Sequence, residues 1–311
     1  MGKVILDMDT GIDDALAIAY AAASPELELL GVTTTYGMAP VDDSVRNTLL
    51  VLEQLKCDAP VFRGAEQPLV RSRAYSGTFH GNDGLGDVPR RESKRTADGM
   101  HAVDFIIEQS REFGRDLTLV TTAPLTNLAL AIRKAPDIVC KLGRVVTMGG
   151  AVATPGNVTK FAEANIIIDP HAAHIVFSSE LPITLVGLDV TRKTVLRQEA
   201  VAMWREKNTE SSVFFASFTE YYMQAYKQYH PYLQGCALHD PLAVGVAAHP
   251  DLVATVPMHI TVDLDDDALG RTVEDIRRVS PGGPNTQVCM EVDADRFVSE
   301  FLDRVDQAFS R

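Results

Sequence analysis

The sequence predicts an α/β fold in which an open, mostly parallel sheet is flanked by helices. Two observations predict it. Short apolar runs rich in β-branched residues alternate along the chain with helix-forming stretches. Such alternation implies crossover connections, and crossovers bring consecutive strands side by side in parallel. The composition agrees: 311 residues, 46% hydrophobic and 23% charged, exclude a mostly disordered chain and can enclose a large core.

The elements follow in order. Lys3–Met8 reads as a buried strand and Asp13–Ala23, rich in Ala and Leu, as the helix after it. Glu28–Thr35 is a second strand and Asp42–Lys56 a second helix. Leu117–Thr122, Arg144–Met148 and Ile183–Gly187 are further strands, with helices expected at Leu125–Lys134, Pro170–Ser178 and Pro241–Ala248. Towards the C-terminus, Ala254–Val262, Arg271–Val279 and Thr286–Val292 read as strands and Asp293–Phe309 as a closing amphipathic helix. Ser72–Gly99, rich in Gly, Arg and Asp, reads as a long loop of the kind that often carries function. No internal repeat, low-complexity tract or Pro/Ser-rich linker interrupts the chain, so 1–311 is expected to be a single domain.

Charge and cysteine usage narrow the function. With 29 basic and 42 acidic residues the net charge is −13, which argues against nucleic acid as a partner, because phosphate binding needs a basic footprint. No apolar run approaches the roughly 20 residues of a membrane span, and MGKVILDMDTG lacks the apolar stretch of a signal peptide. Cys57, Cys140, Cys236 and Cys289 are scattered without a CxxC pair. Neither zinc nor a disulfide framework is expected, and a cytoplasmic setting fits.

In parallel sheets ligands bind beyond the C-terminal ends of the strands, near a topological switch point. The first strand ends in Asp7-Met8-Asp9-Thr10-Gly11-Ile12-Asp13-Asp14. Helix capping accounts for one or two of these four carboxylates. It does not account for Asp7 and Asp9. Carboxylates this close repel and raise one another's pKa, and a cation resolves the conflict. Oxygen donors without nearby His or Cys favour Ca²⁺ or Mg²⁺. A second acidic run, Asp263–Asp267, fails the EF-hand pattern because Ala268 stands where Gly is required, and reads as a solvated turn. Asp240, in His239-Asp240-Pro241, is either a helix cap or a further ligand, and His239 has the chemistry of a general acid. Asn157, Glu163 and Asn165 suit a hydroxyl-rich ligand, and His80 sits in the Gly-rich stretch His80–Gly86.

Taken together these residues resemble one family. Asp7–Asp14 resembles the DxDxGxDD signature of the inosine-uridine nucleoside hydrolases. Ala123–Asn127, Met148-Gly149-Gly150, Gly156-Asn157, Ala162–Ile166 with Asp169-Pro170, and His239–Ala243 follow in the family's order over nearly the whole chain. The resemblance implies a nucleoside hydrolase fold with a Rossmann-like core and calcium-dependent hydrolysis of the N-glycosidic bond of ribonucleosides. It implies Ca²⁺ held by Asp9, Asp14, Asp240 and the carbonyl of Thr122. Asp13 would be the base that activates water and His239 the proton donor to the departing base. Asn157, Glu163 and Asn165 would hold the ribose, including its 5′-hydroxyl. Met148, His80, Tyr226 and Tyr229 would line the substrate pocket. A nucleoside is then the partner, and a homodimer or homotetramer is the expected assembly. Two positions depart from the family pattern: Met38 follows Gly37 where the family usually has Asn, and Ala164 stands where it commonly has Phe. Hydrolysis of a modified or bulkier ribosyl substrate is one alternative they raise. A catalytically impaired nucleoside-binding homologue and a metal-dependent phosphatase are the alternatives.

Overall fold

A computed structural model describes residues 1–72, 74, 75, 77–88, 92–278 and 283–310. The strands and α-helices run β1 (Gly2–Met8), α1 (Ile12–Ala23), β2 (Leu27–Thr34), α2 (Val41–Gln54), β3 (Val61–Arg63), α3 (Ala102–Phe113), β4 (Leu117–Thr121), α4 (Thr126–Lys134), α5 (Ile138–Lys141), β5 (Arg144–Met148), α6 (Ala164–Ile168), α7 (Pro170–Ser178) and β6 (Ile183–Val186). They continue with α8 (Leu188–Thr191), β7 (Val195–Arg197), α9 (Gln198–Lys207), α10 (Glu210–Tyr229), β8 (Gly235–Ala237), α11 (His239–Ala248), β9 (Val253–Met258), β10 (Ile260–Val262), β11 (Thr272–Glu274), β12 (Thr286–Val292) and α12 (Ala294–Phe309).

An eight-stranded sheet in the order β3-β2-β1-β4-β5-β6-β12-β9 forms the centre. All its pairings are parallel except β12 with β9. From β1 the chain builds outward through β2 and β3, then returns to place β4 on the other side of β1. The strand order therefore reverses between β1 and β4, and a crevice opens at their C-terminal ends. Asp7 of β1 lies in register with Thr33 of β2 and Thr121 of β4 at that end.

Both faces of the sheet are covered, which is why β1 reads as one apolar run. Val4, Leu6 and Met8 belong to the core that includes α1, α11 and α12. Ile5 points to the opposite core, formed with α3, α4 and α7. The closing helix α12 buries Phe297, Phe301 and Val305 along one stripe. Tyr20 of α1 meets Phe297 edge-on at 5.9 Å between centroids, so α12 backs the helix that carries Asp13 and Asp14.

The C-terminal third departs from the expected strands. Ala254–Val262 is not one strand: the chain breaks at His259, β9 pairs with β12, and β10 leaves the main sheet to pair with β11. Of Arg271–Val279 only Thr272–Glu274 is strand, and Val279 lies outside the described residues. The Asp263–Asp267 run is the turn of that small hairpin, in keeping with a solvated turn. The described residues of Ser72–Gly99 contain no helix or strand, as expected of a loop.

Asp7 does not join the acidic cluster. Alternation along β1 puts it on the Ile5 face, over the start of α4. There Oδ1 accepts hydrogen bonds from Thr33 Oγ1 (2.7 Å) and Asn127 Nδ2 (2.8 Å). Asn127 also donates to the Thr34 carbonyl and accepts from the Ala65 amide. Burial pushes the Asp7 carboxyl up to about 6. Replacing Asn127 with Leu leaves three buried polar groups without this partner. The variant is expected to lose about 2–4 kcal/mol of stability, read as a lower denaturant midpoint at unchanged slope.

Candidate active site

The crevice between β1 and β4 receives three helix or strand ends. β1 delivers Asp9, the first turn of α1 delivers Asp13 and Asp14, and the first turn of α11 delivers Asp240. Helix N-termini carry partial positive charge and make carboxylates tolerable there. Asp14 is fixed from two sides: Oδ2 accepts from the Gly11 amide (2.8 Å) and Oδ1 from Thr122 Oγ1 (2.6 Å). Asp9 Oδ2 accepts from the Met38 amide at 2.7 Å. A Cβ at position 37 would overlap that carboxylate, so Gly37 lets the loop after β2 close over Asp9.

One ligand oxygen from each of Asp13, Asp14 and Asp240 lies within 4.8 Å of the others, an arrangement that could hold a metal ion. Asp9 stands outside that trio but within the same field. Burial raises its pKa well above the ordinary range, and Asp14 and then Asp13 push it further. Burial also raises Asp240 strongly, with Asp13, Asp14 and Asp9 adding repulsion in that order. Asp13 is pushed up to about 7 and Asp14 to about 6, in each case first by burial. Arg192, which lines the same cavity, does not neutralise them: its guanidinium donates to Thr154 Oγ1 and to the Pro155 and Gly156 carbonyls. An all-oxygen donor set with excess negative charge fits a hard divalent cation.

The opposite wall is aromatic. The cavity, about 220 Å³, is lined among others by Phe79, His80, Tyr222, Tyr226, His230 and His239. Tyr226 Oη is 2.8 Å from His239 Nε2, and His239 Nδ1 is 2.7 Å from Thr191 Oγ1. Tyr222 hydrogen-bonds Tyr226, its ring 4.9 Å away. Burial, with smaller contributions from Arg192, His80 and His230, lowers His239 to about 3. A free histidine exchanges its proton near neutrality; His239 is instead a neutral imidazole held in a hydrogen-bonded chain. His80 is also neutral, lowered to about 4 by burial, and its Nδ1 accepts from the Ile12 amide at 3.1 Å. Gly11 permits this approach, since a Cβ there would lie 2.6 Å from His80 Nδ1.

The third wall follows β5. Met148 ends that strand, and its carbonyl accepts from Asn165 Nδ2 at 3.2 Å. Asn165 Nδ2 also donates to the Thr122 carbonyl at 2.9 Å. Glu163 caps α6, accepting from the amides of Asn165 and Ile166, and burial pushes it up to about 7. Asn157 is exposed at the mouth, its Oδ1 accepting from the Ala164 amide.

One cavity thus gathers Asp9, Asp13, Asp14, Thr122, Asp240, Met148, Asn157, Glu163, Asn165, His80, Tyr226 and His239. Tyr229 is the exception. It ends α10 half exposed, packed on Phe79 with centroids 5.2 Å apart, and does not line the cavity. Tyr222 takes that place, one helical turn before Tyr226, and i,i+4 spacing on α10 is the signal that could have found it. Thr191 and Arg192 had no such signal, because their position depends on where β6 ends.

Protons and a divalent cation compete for the same oxygens. Calcium added to chelator-treated protein is expected to raise the melting temperature, and the rise is expected to grow between about pH 5 and pH 7, where Asp14 (about 6) and Asp13 (about 7) give up their protons. A rise that is constant across this range places the cation elsewhere.

Comparison with known proteins agrees with the geometry. Residues 4–299 match the family described as inosine-uridine preferring nucleoside hydrolase. The chain is 38% identical to the inosine-uridine preferring nucleoside hydrolase of Crithidia fasciculata, covering 98% of both chains. It is 36% identical to the pyrimidine-specific ribonucleoside hydrolase RihB of Escherichia coli, covering 95% of this chain and 94% of that one. The structure superposes on a purine-preferring ribonucleoside hydrolase from Gardnerella vaginalis with a TM-score of 0.96, 43% identity and 98% of each chain covered. The chain belongs to the inosine-uridine preferring nucleoside hydrolase family, enzymes that act on N-ribosyl bonds.

Proposed function

We propose that the protein hydrolyses the N-glycosidic bond of ribonucleosides to free base and ribose, using a calcium ion seated by Asp9, Asp14, Asp240 and the Thr122 carbonyl. The observation that carries this reading is the juxtaposition in one cavity of the buried carboxylates and the Tyr222–Tyr226–His239 chain. When bound, the ion would acidify a water and draw the ribose 2′- and 3′-hydroxyls to the floor of the crevice.

The chain's own residues supply the rest. Asp13 takes the proton of the attacking water. Glycoside cleavage builds positive charge on the ribosyl ring, and the surrounding carboxylates bind that charge more tightly than the neutral substrate. Glu163 and Asn165 flank the sugar, with Met148 beneath and Asn157 at the mouth. The base departs toward the aromatic wall. There the Tyr226 hydroxyl gives a proton to the leaving nitrogen, and the Nε2–H tautomer of His239 donates to the phenol oxygen while Thr191 supports Nδ1. The proton on Asp13 returns through solvent. His80, with its proton on Nε2, lines the base side. Base preference does not carry over from the relatives, since one is named purine-preferring and another pyrimidine-specific.

Ribose release from purine, pyrimidine and nicotinamide ribosides, with and without a calcium chelator, tests the reading. Chelator-sensitive release is expected. No release from folded, calcium-loaded protein overturns it. Asp13→Asn is expected to lower kcat by about 10³ or more with the fold intact by circular dichroism. His239→Ala is expected to slow inosine or uridine at least tenfold more than a riboside with an activated nitrophenyl leaving group, because the latter needs no proton. An equal loss on both removes the acid-relay role.

A further inference from the structure

We propose that Asn47 is a positioning residue for the reaction: its side-chain amide fixes the loop that carries His80 against the turn that carries Asp13. The inference rests on the proposed function and adds to that site a residue of α2 that does not line the cavity.

Asn47 is 1% exposed. Its Nδ2 donates to two carbonyls, that of Thr10 at 3.1 Å and that of Asp83 at 2.8 Å. Thr10 sits in the turn between Asp9 and Asp13, and Asp83 follows His80 in the Gly-rich loop. One nitrogen therefore joins two segments that are far apart in sequence. A neutral amide suits this task, because its NH₂ group gives two hydrogen bonds without bringing charge into the interior. Its orientation is fixed as well. Arg46 Nη2 donates to Asn47 Oδ1 at 3.0 Å, so turning the amide over would lose that bond and set oxygen against two carbonyls. The approach is close enough to require glycine at position 84. Its φ is +84°, and a Cβ there would lie 2.9 Å from Asn47 Nδ2.

The link reaches His80 through short bonds. Asp83 Oδ1 accepts from the Leu85 and Asp87 amides, and the Gly86 amide donates to the His80 carbonyl at 2.7 Å. The stretch from His80 to Asp87 is thus closed on itself, and a shift of Asp83 is carried to His80. The His80 imidazole lines the cavity, its ring 5.2 Å from that of Tyr222. Its Nδ1 accepts from the Ile12 amide at 3.1 Å and stands 3.9 Å from Asp13 Oδ1. The Ile12 bond orients the ring only while loop and turn keep their spacing, and the Asn47 amide sets that spacing. The carboxylate turn has support of its own: Thr10 Oγ1 meets Thr48 Oγ1 at 2.6 Å, and the Gly11 amide holds Asp14. Loss of Asn47 therefore falls on His80 before it falls on the carboxylates.

The test measures kcat/KM for inosine or uridine, whichever is cleaved faster, on calcium-loaded protein carrying Asn47→Ala, His80→Ala or both. Asn47→Ala is expected to lower kcat/KM about 30-fold when His80 is present and less than about threefold in the His80→Ala background. A general loss of folded protein would instead lower it equally in both. Asn47→Asp, which keeps the size of the side chain but offers no donor, is expected to behave like Asn47→Ala and serves if the alanine variant does not fold. Calcium affinity by titration calorimetry is expected to stay within about threefold of wild type. The ring is also read without substrate: the His80 imidazole C–H signals in a proton NMR spectrum, assigned by their loss in His80→Ala, are expected to move or broaden in Asn47→Ala. Equal losses in both backgrounds overturn the inference, and so does a His80→Ala variant as active as wild type. A calcium affinity that falls in step with kcat/KM, or a His80 signal that does not change, overturns it too. If wild-type protein releases no base, the proposed function falls, and the His80 signal alone decides whether Asn47 positions the ring.

Discussion

Mutual repulsion among buried carboxylates is the constraint on which the rest of the structure turns. Asp9, Asp13, Asp14 and Asp240 are removed from water in one crevice, and each raises the cost of charging the others. Several features answer that repulsion. The first turns of α1 and α11 bring backbone dipoles to bear on it. Thr122 and the amides of Gly11 and Met38 donate to individual oxygens. These donors fix each carboxylate in place but do not cancel its charge. The charge left over is what a cation could balance, and in the proposed reaction an electron-poor ribosyl ring would answer the same charge. Stability and chemistry are therefore drawn from one source.

The aromatic wall depends on this arrangement from the other side. Burial holds His80 and His239 in the neutral form, His80 even with Asp13 Oδ1 3.9 Å from its Nδ1. In the proposed reaction the phenol of Tyr226 is the group that meets the base. The Tyr20–Phe297 contact supports the arrangement from behind, holding α1 against α12 so that its first turn cannot retreat from the crevice.

Much of this was legible in the residues. β1, β4 and β5 followed from apolar runs and crossover logic, and Asp9, Asp13 and Asp14 stood out because strand ends rarely collect so many acids, whereas the residues alone left Asp240 open between a helix cap and a further ligand. Asp7 was misread because a sequence shows proximity along the chain and not the face of the strand. The hydrogen bonds from Thr33 and from Asn127 on α4 show where Asp7 points. Tyr229 was preferred to Tyr222 although the helix period decides between them, since Tyr222 and Tyr226 share a face one turn apart. The break at His259 was hidden because Ala254–Val262 is uniformly strand-forming, and pairing partners decide where such a run divides. The neutrality of His239 depended on burial, which no local pattern encodes.

Thr191 and Arg192 are consecutive residues serving different walls. Thr191 holds the His239 imidazole, and Arg192 ties down Thr154, Pro155 and Gly156, the turn leading to Asn157. A single peptide unit therefore joins the two halves of the pocket. On the proposed reading, a sugar that displaced the 154–157 turn would pull on the backbone next to Thr191, which holds His239, and a base that shifted the imidazole would pull on the sugar side. Selection for a new base and selection for a new sugar are thus not independent experiments on this scaffold, and gains in one are expected to be epistatic with gains in the other.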